Sequence, residues 1–246
     1  GDLINLPRTG MTQHTKNVSS DRQSPFGSLH VFNITAITAC CLAVVVGQSM
    51  AQETKVFTGH SDPVYAVGFT PDGKSIVTGS FDKSLRLWDI ATQKTIRTMT
   101  GHTGIVLSIA VSPDGKRIAS GALDNTIKLW DVPVNTPIAN LAGHKGAVFS
   151  AAVNVDGTLY ATAGADKLIK LWNAADGKPA RDIAGNTAEI RQLDIRRDGK
   201  QIASADAAGL VRLFKADDGT PQGIIGAHTG EITGLVFAPN NTFILT

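Results

Sequence analysis

His102, Ser120, Asp124 and Trp130 stand within one short stretch, "GHTGIVLSIAVSPDGKRIASGALDNTIKLWD" over 101–131. An imidazole, a hydroxyl and a carboxylate are the groups of nucleophilic acyl transfer, in which histidine takes the hydroxyl proton and aspartate orients the histidine. The set is not unique in the chain. His60, Thr78, Asp82 and Trp88 precede it by 42 residues, and His144, Thr162, Asp166 and Trp172 follow it by 42. A hydrolase needs its triad once. Copies in register, with threonine replacing serine in two of the three, point instead to polar side chains that satisfy one another inside a repeated unit. No catalytic residue is expected.

The repeat continues beyond these columns. The "GH" slot recurs at His60, His102, His144, Asn186 and His228, and the aromatic slot at Trp88, Trp130, Trp172 and Phe214. Each unit parses into four short strands. In the first they are Val64–Thr70, Ser75–Ser80, Leu85–Ile90 and Thr95–Met99, divided by "PDGK", "FDKS" and "ATQK". Alternating β-branched residues around Asp-Gly turns are hairpin chemistry, because glycine accepts the positive φ such turns need. No segment shows a sustained helical period, so the body is read as all-β.

The pattern "GH…WD" resembles the WD-repeat family of β-propellers, whose units run to about 40–45 residues. The resemblance covers residues 54–246. It implies four-stranded antiparallel blades, each unit giving the outer strand of one blade and the three inner strands of the next. It also implies a buried hydrogen-bond relay: Asp82–His60–Thr78–Trp88, Asp124–His102–Ser120–Trp130 and Asp166–His144–Thr162–Trp172. An unpaired buried polar group costs about 1–3 kcal/mol, which such a relay removes.

Unit four departs from the pattern. Asn186 replaces histidine, Ala208 the aspartate, and Phe214–Lys215 the "WD" pair, while Ser204 remains. The expectation is a blade held by packing alone, with Asp206 two residues too early to substitute. The bases Arg86, Lys128, Lys170 and Arg212, each two residues before the aromatic, read as solvated strand positions. With about four blades and half a fifth, the expected form is an incomplete propeller: an open crescent with unpaired edges, part of a longer protein.

The family resemblance further implies binding positions three and five residues after the histidine slot and just before the turn aspartate. These are Pro63, Tyr65 and Phe81; Ile105, Leu107 and Leu123; Ala147, Phe149 and Ala165; then Glu189, Arg191 and Ala207. Glu231 and Thr233 follow in unit five. The rim is mainly apolar over three blades and charged at the fourth, which suits a protein or peptide partner.

The chain has 246 residues, a net charge of +2 and no like-charge run, so a nucleic-acid surface is not expected. Cys40 and Cys41 are the only cysteines, and no Cys/His pattern suggests a metal or cofactor. Between Arg22 and Glu53 there is no charged residue, and the apolar run Ile34–Val46 ends before the small residues Ser49 and Ala51. Residues 1–51 therefore read as a leader, a signal peptide cleaved after Ala51, and residues 52–246 as the propeller. The expectation is an exported chain, periplasmic or extracellular, with membrane anchoring through 31–50 as the alternative. The functional expectation is a non-catalytic interaction scaffold. A propeller part of a larger exported enzyme is the rival.

Overall fold

The computed structural model describes residues 4–5, 42–45, 54–132, 137–226 and 228–246. Among these every regular element is a strand. The first three are short: β1 (Ile4–Asn5), β2 (Leu42–Val45) and β3 (Thr54–Phe57). Blade one is β4 (Val64–Phe69), β5 (Ser75–Ser80), β6 (Ser84–Asp89) and β7 (Thr95–Thr100). Blade two is β8 (Val106–Val111), β9 (Arg117–Ala122), β10 (Thr126–Asp131) and β11 (Ala139–Ala142). Blade three is β12 (Val148–Val153), β13 (Leu159–Gly164), β14 (Ile169–Asn173) and β15 (Pro179–Ile183). Blade four is β16 (Ile190–Ile195), β17 (Gln201–Asp206), β18 (Leu210–Lys215) and β19 (Pro221–Gly226). A fifth, partial blade holds β20 (Val236–Phe237) and β21 (Phe243–Leu245).

Each full blade is an antiparallel sheet whose strands pair in chain order. The Asp-Gly turns explain this economy. Gly73, Gly115, Gly157 and Gly199 all adopt φ between 67° and 71°, a region that costs a side chain energy. The preceding aspartate locks the turn: Asp72 accepts the Thr70 hydroxyl at 2.6 Å and the Lys74 N–H at 3.0 Å. Strands of six residues joined by such turns stack edge to edge with little loop.

The core lies between blades. Val77, Leu85, Leu87 and Met99 of blade one meet Val106, Ile118 and Trp130 of blade two. Leu129 and Leu141 of blade two meet Val148, Tyr160 and Trp172 of blade three. Ile169, Leu171 and Ile183 of blade three meet Ile190, Ile202 and Phe214 of blade four. Each third-strand aromatic thus packs on the blade before it. Trp88 has no preceding full blade, and Phe57 of β3 meets it edge-on with ring centroids 5.8 Å apart.

The fold is the expected incomplete propeller, with no sheet among the described residues joining the first blade to the fifth. The edges differ from the expectation of unpaired ends. β3 pairs with β2, and β21 pairs with β1, so backbone that read as leader supplies a neighbour to each terminal strand. The expected cleavage after Ala51 lies outside the described residues.

Close approach of the innermost strand of one blade to the second strand of the blade before leaves no room for a side chain at Gly121. A Cβ there would stand 2.5 Å from a Val148 methyl and 2.5 Å from the Ser108 hydroxyl. Gly121→Val should destabilise the chain by on the order of 1–3 kcal/mol through overpacking. Urea unfolding measures this, and an unchanged midpoint contradicts the packing described.

Candidate functional site

In the first three blades the tight turn between the second and third strands carries the aspartate, and the loop entering the first strand carries the histidine. In blade one, His60 Nδ1 lies 2.7 Å from Asp82 Oδ2, and His60 Nε2 lies 2.7 Å from Thr78 Oγ1. The Trp88 indole N–H donates to the same Thr78 oxygen at 2.7 Å. Blade two repeats these distances at 2.9, 2.7 and 2.8 Å through Asp124, His102, Ser120 and Trp130. Blade three gives 2.8, 2.9 and 2.8 Å through Asp166, His144, Thr162 and Trp172.

The proton wiring follows from the donors available. Tryptophan can only donate, so the hydroxyl oxygen accepts from it and its own proton goes to histidine Nε2. Histidine Nδ1–H then donates to the carboxylate, which places the imidazole in its neutral form. Burial pushes the pKa values of His60, His102 and His144 below the ordinary 6.5, although the facing aspartates pull upward. Burial also pushes the Asp82 and Asp124 carboxyls up. Hydrogen bonds from Ser84 and His60, and from Thr126 and His102, outweigh it and hold both below the usual range. The second carboxylate oxygen fastens the turn: Asp82 Oδ1 accepts the Ser84 N–H at 2.9 Å. That bond holds Lys83 at φ 66°, as the equivalent turns hold Asn125 and Lys167 at 65°. Every polar atom of the apparent triad is thus engaged, and each hydroxyl is buried.

Blade four is not held by packing alone. Asp206, fully buried, accepts the Arg212 guanidinium at 3.0 Å and the Ala208 and Leu210 N–H groups at 3.0 Å each. Arg212 reaches on to Thr187 Oγ1 at 3.2 Å, and Ser204 donates to Asn186 at 2.8 Å. The carboxylate has moved two residues earlier, and the basic column supplies the cation that replaces histidine. Against the expectation of a solvated column, Lys170 and Arg212 are buried, while Arg86 and Lys128 are half-buried. Lys170 pairs with Asp182, Lys128 donates to Asn140 at 3.2 Å, and Arg86 stands over the Trp88 ring.

The rim positions are built by two backbone features. The pairing of the first and second strands skips Tyr65, Leu107, Phe149 and Arg191, one β-bulge per blade at the same register. A bulge re-aims its side chain. The Phe81 N–H donates to Pro63 O, and Leu123 N–H to Ile105 O, both at 2.9 Å. The pairs Ala165 with Ala147 and Ala207 with Glu189 repeat the clip. Tyr65, Leu107 and Phe149 line a channel of about 330 Å³ shared by the innermost strands. Tyr65 and Phe81 have ring centroids 6.2 Å apart, and the Arg191 guanidinium lies 4.3 Å above the Phe149 ring centroid. Arg191 also pairs with Glu189 at 3.0 Å and Glu231 at 2.7 Å. Phe81 and Leu123 are exposed, while Pro63, Ile105 and Leu107 are half-buried and Ala147 is buried.

The family model described as "WD domain, G-beta repeat" matches residues 51–89, 93–131, 135–173 and 219–246, more than half of the chain. The chain belongs to the WD-repeat family. The interval between the third and fourth matches holds the fourth WD unit, in which every relay residue but Ser204 is replaced. Its blade is nonetheless complete, and its own side chains show why. Among similar proteins, the ribosome biogenesis protein BOP1 homolog of Drosophila grimshawi is 47% identical over 47 residues, 19% of this chain and 6% of the relative. Its counterpart in Drosophila melanogaster is 45% identical over 47 residues, with the same coverage. The chain thus spans only about 6% of the length of these relatives. The expectation of export, or of membrane anchoring through 31–50, is overturned here. The relatives that contradict it are named for ribosome biogenesis. Among the described residues, no helix is long and apolar enough to cross a membrane.

Two outcomes follow from the relays. Their histidines bind protons less tightly in the folded chain than in the unfolded one. Their contribution is therefore present above pH 6.5 and is lost as pH falls below it through the folded pKa values. Thermal melts across that range should show falling Tm, and a flat profile contradicts neutral buried imidazoles. Arg212→Ala should cost about 3–5 kcal/mol by stranding the buried Asp206 carboxylate. A loss below about 1 kcal/mol in urea unfolding would return blade four to packing alone.

Proposed function

We propose that the chain is a non-catalytic scaffold that captures a protein or peptide partner on the rim around its channel mouth. The observation that carries this reading is the clipped, bulged rim itself. Tyr65, Phe81, Ile105, Leu107, Leu123 and Phe149 gather on three successive blades at one end, half-buried or exposed. Aromatic and aliphatic side chains held rigidly at low entropy cost are what a binding surface uses for its strongest contacts. Glu189, Arg191 and Glu231 border this surface with charge that can set the orientation of an incoming segment. The relays support the non-catalytic part of the reading, since their hydroxyls already donate and accept within the blade. The likeness to ribosome biogenesis proteins spans about one repeat, and what it supports is the blade.

Peptides selected from a random library on the 246-residue chain provide the test. Replacing Tyr65, Phe81 and Phe149 together with serine should weaken the selected peptides by at least about tenfold, with Tm nearly unchanged. Unchanged affinity removes the rim as the capture surface.

A further inference from the structure

Each base of the third strands faces one residue of the outermost strand of its own blade. Arg86 faces Thr98, Lys128 faces Asn140, Lys170 faces Asp182 and Arg212 faces Ile224. In blades two and three the two side chains meet: Lys128 donates to Asn140 at 3.2 Å, and Lys170 pairs with Asp182. Blade four breaks the arrangement. Arg212 is engaged by Asp206 and Thr187, and the residue left opposite it is apolar. Ile224 is 65% exposed, more than any other large apolar side chain described. Its strand, β19, is also the edge of its sheet. Edge strands are ordinarily guarded by charge. β7 carries Arg97, and β15 carries Arg181 and Asp182. β11 has no charge, but it is only four residues long and sets Asn140 at this place. β19, "PQGIIG", has six residues and no charge. A Cβ added to Gly223 or Gly226 would meet nothing within 4 Å, so the surface around Ile224 is open.

We propose that β19 is a self-association edge, through which two copies of the chain pair antiparallel about a two-fold axis at Ile224. Symmetry and charge select the occupant. A two-fold axis normal to the sheet sets the central residue opposite its own copy, and like charges directly opposite are destabilising. β15 centred on Arg181 or Asp182 would oppose like charges in this way. In β19 the same operation sets Ile224 against Ile224 of the second copy, and Gly223 against Ile225 of the second copy. Directly opposite residues point to the same face of a sheet, so the two exposed isoleucines cover each other. Glycine leaves room for the second copy's Ile225. The outward N–H and C=O groups of β19, which have no strand beside them, gain partners. Because the strand pairs with itself, association closes at two copies. One strand pair buries less than about 1,200 Å², the range of weak complexes, so half-dimerisation is expected on the order of 10–100 µM.

Sedimentation equilibrium of the 246-residue chain, from about 10 to 500 µM, should show a monomer–dimer equilibrium. Ile224→Lys should raise the dissociation constant at least about tenfold with Tm nearly unchanged, since the charge lands on an exposed edge. In a Cys40→Ser, Cys41→Ser background, Ile224→Cys should form an interchain disulfide under mild oxidation. Directly opposed Cα atoms stand about 4.5–5.5 Å apart, within disulfide reach. Thr98→Cys, the same place in blade one, should not cross-link. A chain that stays monomeric at every concentration overturns the proposal, even where β19 takes up an unrelated extended peptide. So does a dimer that survives Ile224→Lys, which would place the contact elsewhere, a species larger than a dimer, or equal cross-linking through Thr98→Cys.

Discussion

One buried hydroxyl in each of the first three blades, Thr78, Ser120 or Thr162, is the point at which two strands, the turn between them and a loop are tied. It accepts from the third-strand indole and donates to the loop imidazole, which in turn holds the turn carboxylate. Remove the hydroxyl and both an indole N–H and an imidazole nitrogen lose their partner in an interior where water does not reach. The same indole fills the space against the preceding blade, so the polar tie and the apolar layer share one side chain. Blade geometry and blade stacking are for this reason set together.

Blade four shows what the constraint demands and what it leaves free. Its hydroxyl survives, but imidazole, indole and turn aspartate are gone. A buried Asp206–Arg212 pair now fastens the turn, while Phe214 supplies the bulk without an N–H to satisfy. The requirement is that buried polar groups be paired, not that particular residues pair them. An ion pair in this place carries its own desolvation cost, which the backbone N–H donors around Asp206 offset.

The rim depends on the same framework. One extra residue in each innermost strand sets Tyr65, Leu107 and Phe149 in the channel wall, and one backbone hydrogen bond across the two loops ties Phe81 to Pro63 and Leu123 to Ile105. Because these features are backbone features, the side chains they display are free to differ from blade to blade. Blade four accordingly presents Glu189 and Arg191 where the others present apolar groups.

The 42-residue period, the Asp-Gly turns and the recurring polar columns made the all-β blade order and the members of each relay legible in the sequence, because those signals are local or strictly periodic. The register of Asp206 and Arg212 was not legible. A substitute pair offset by two residues breaks the period that exposes the others, and only strand pairing shows that the two meet. The burial of Lys170 and Arg212 and the strands that meet the terminal edges likewise rest on contacts with no repeated spacing to announce them. Period and turn chemistry act within a few residues and specify a blade. Contacts between blades depend on how sheets stack, and that is decided only in three dimensions.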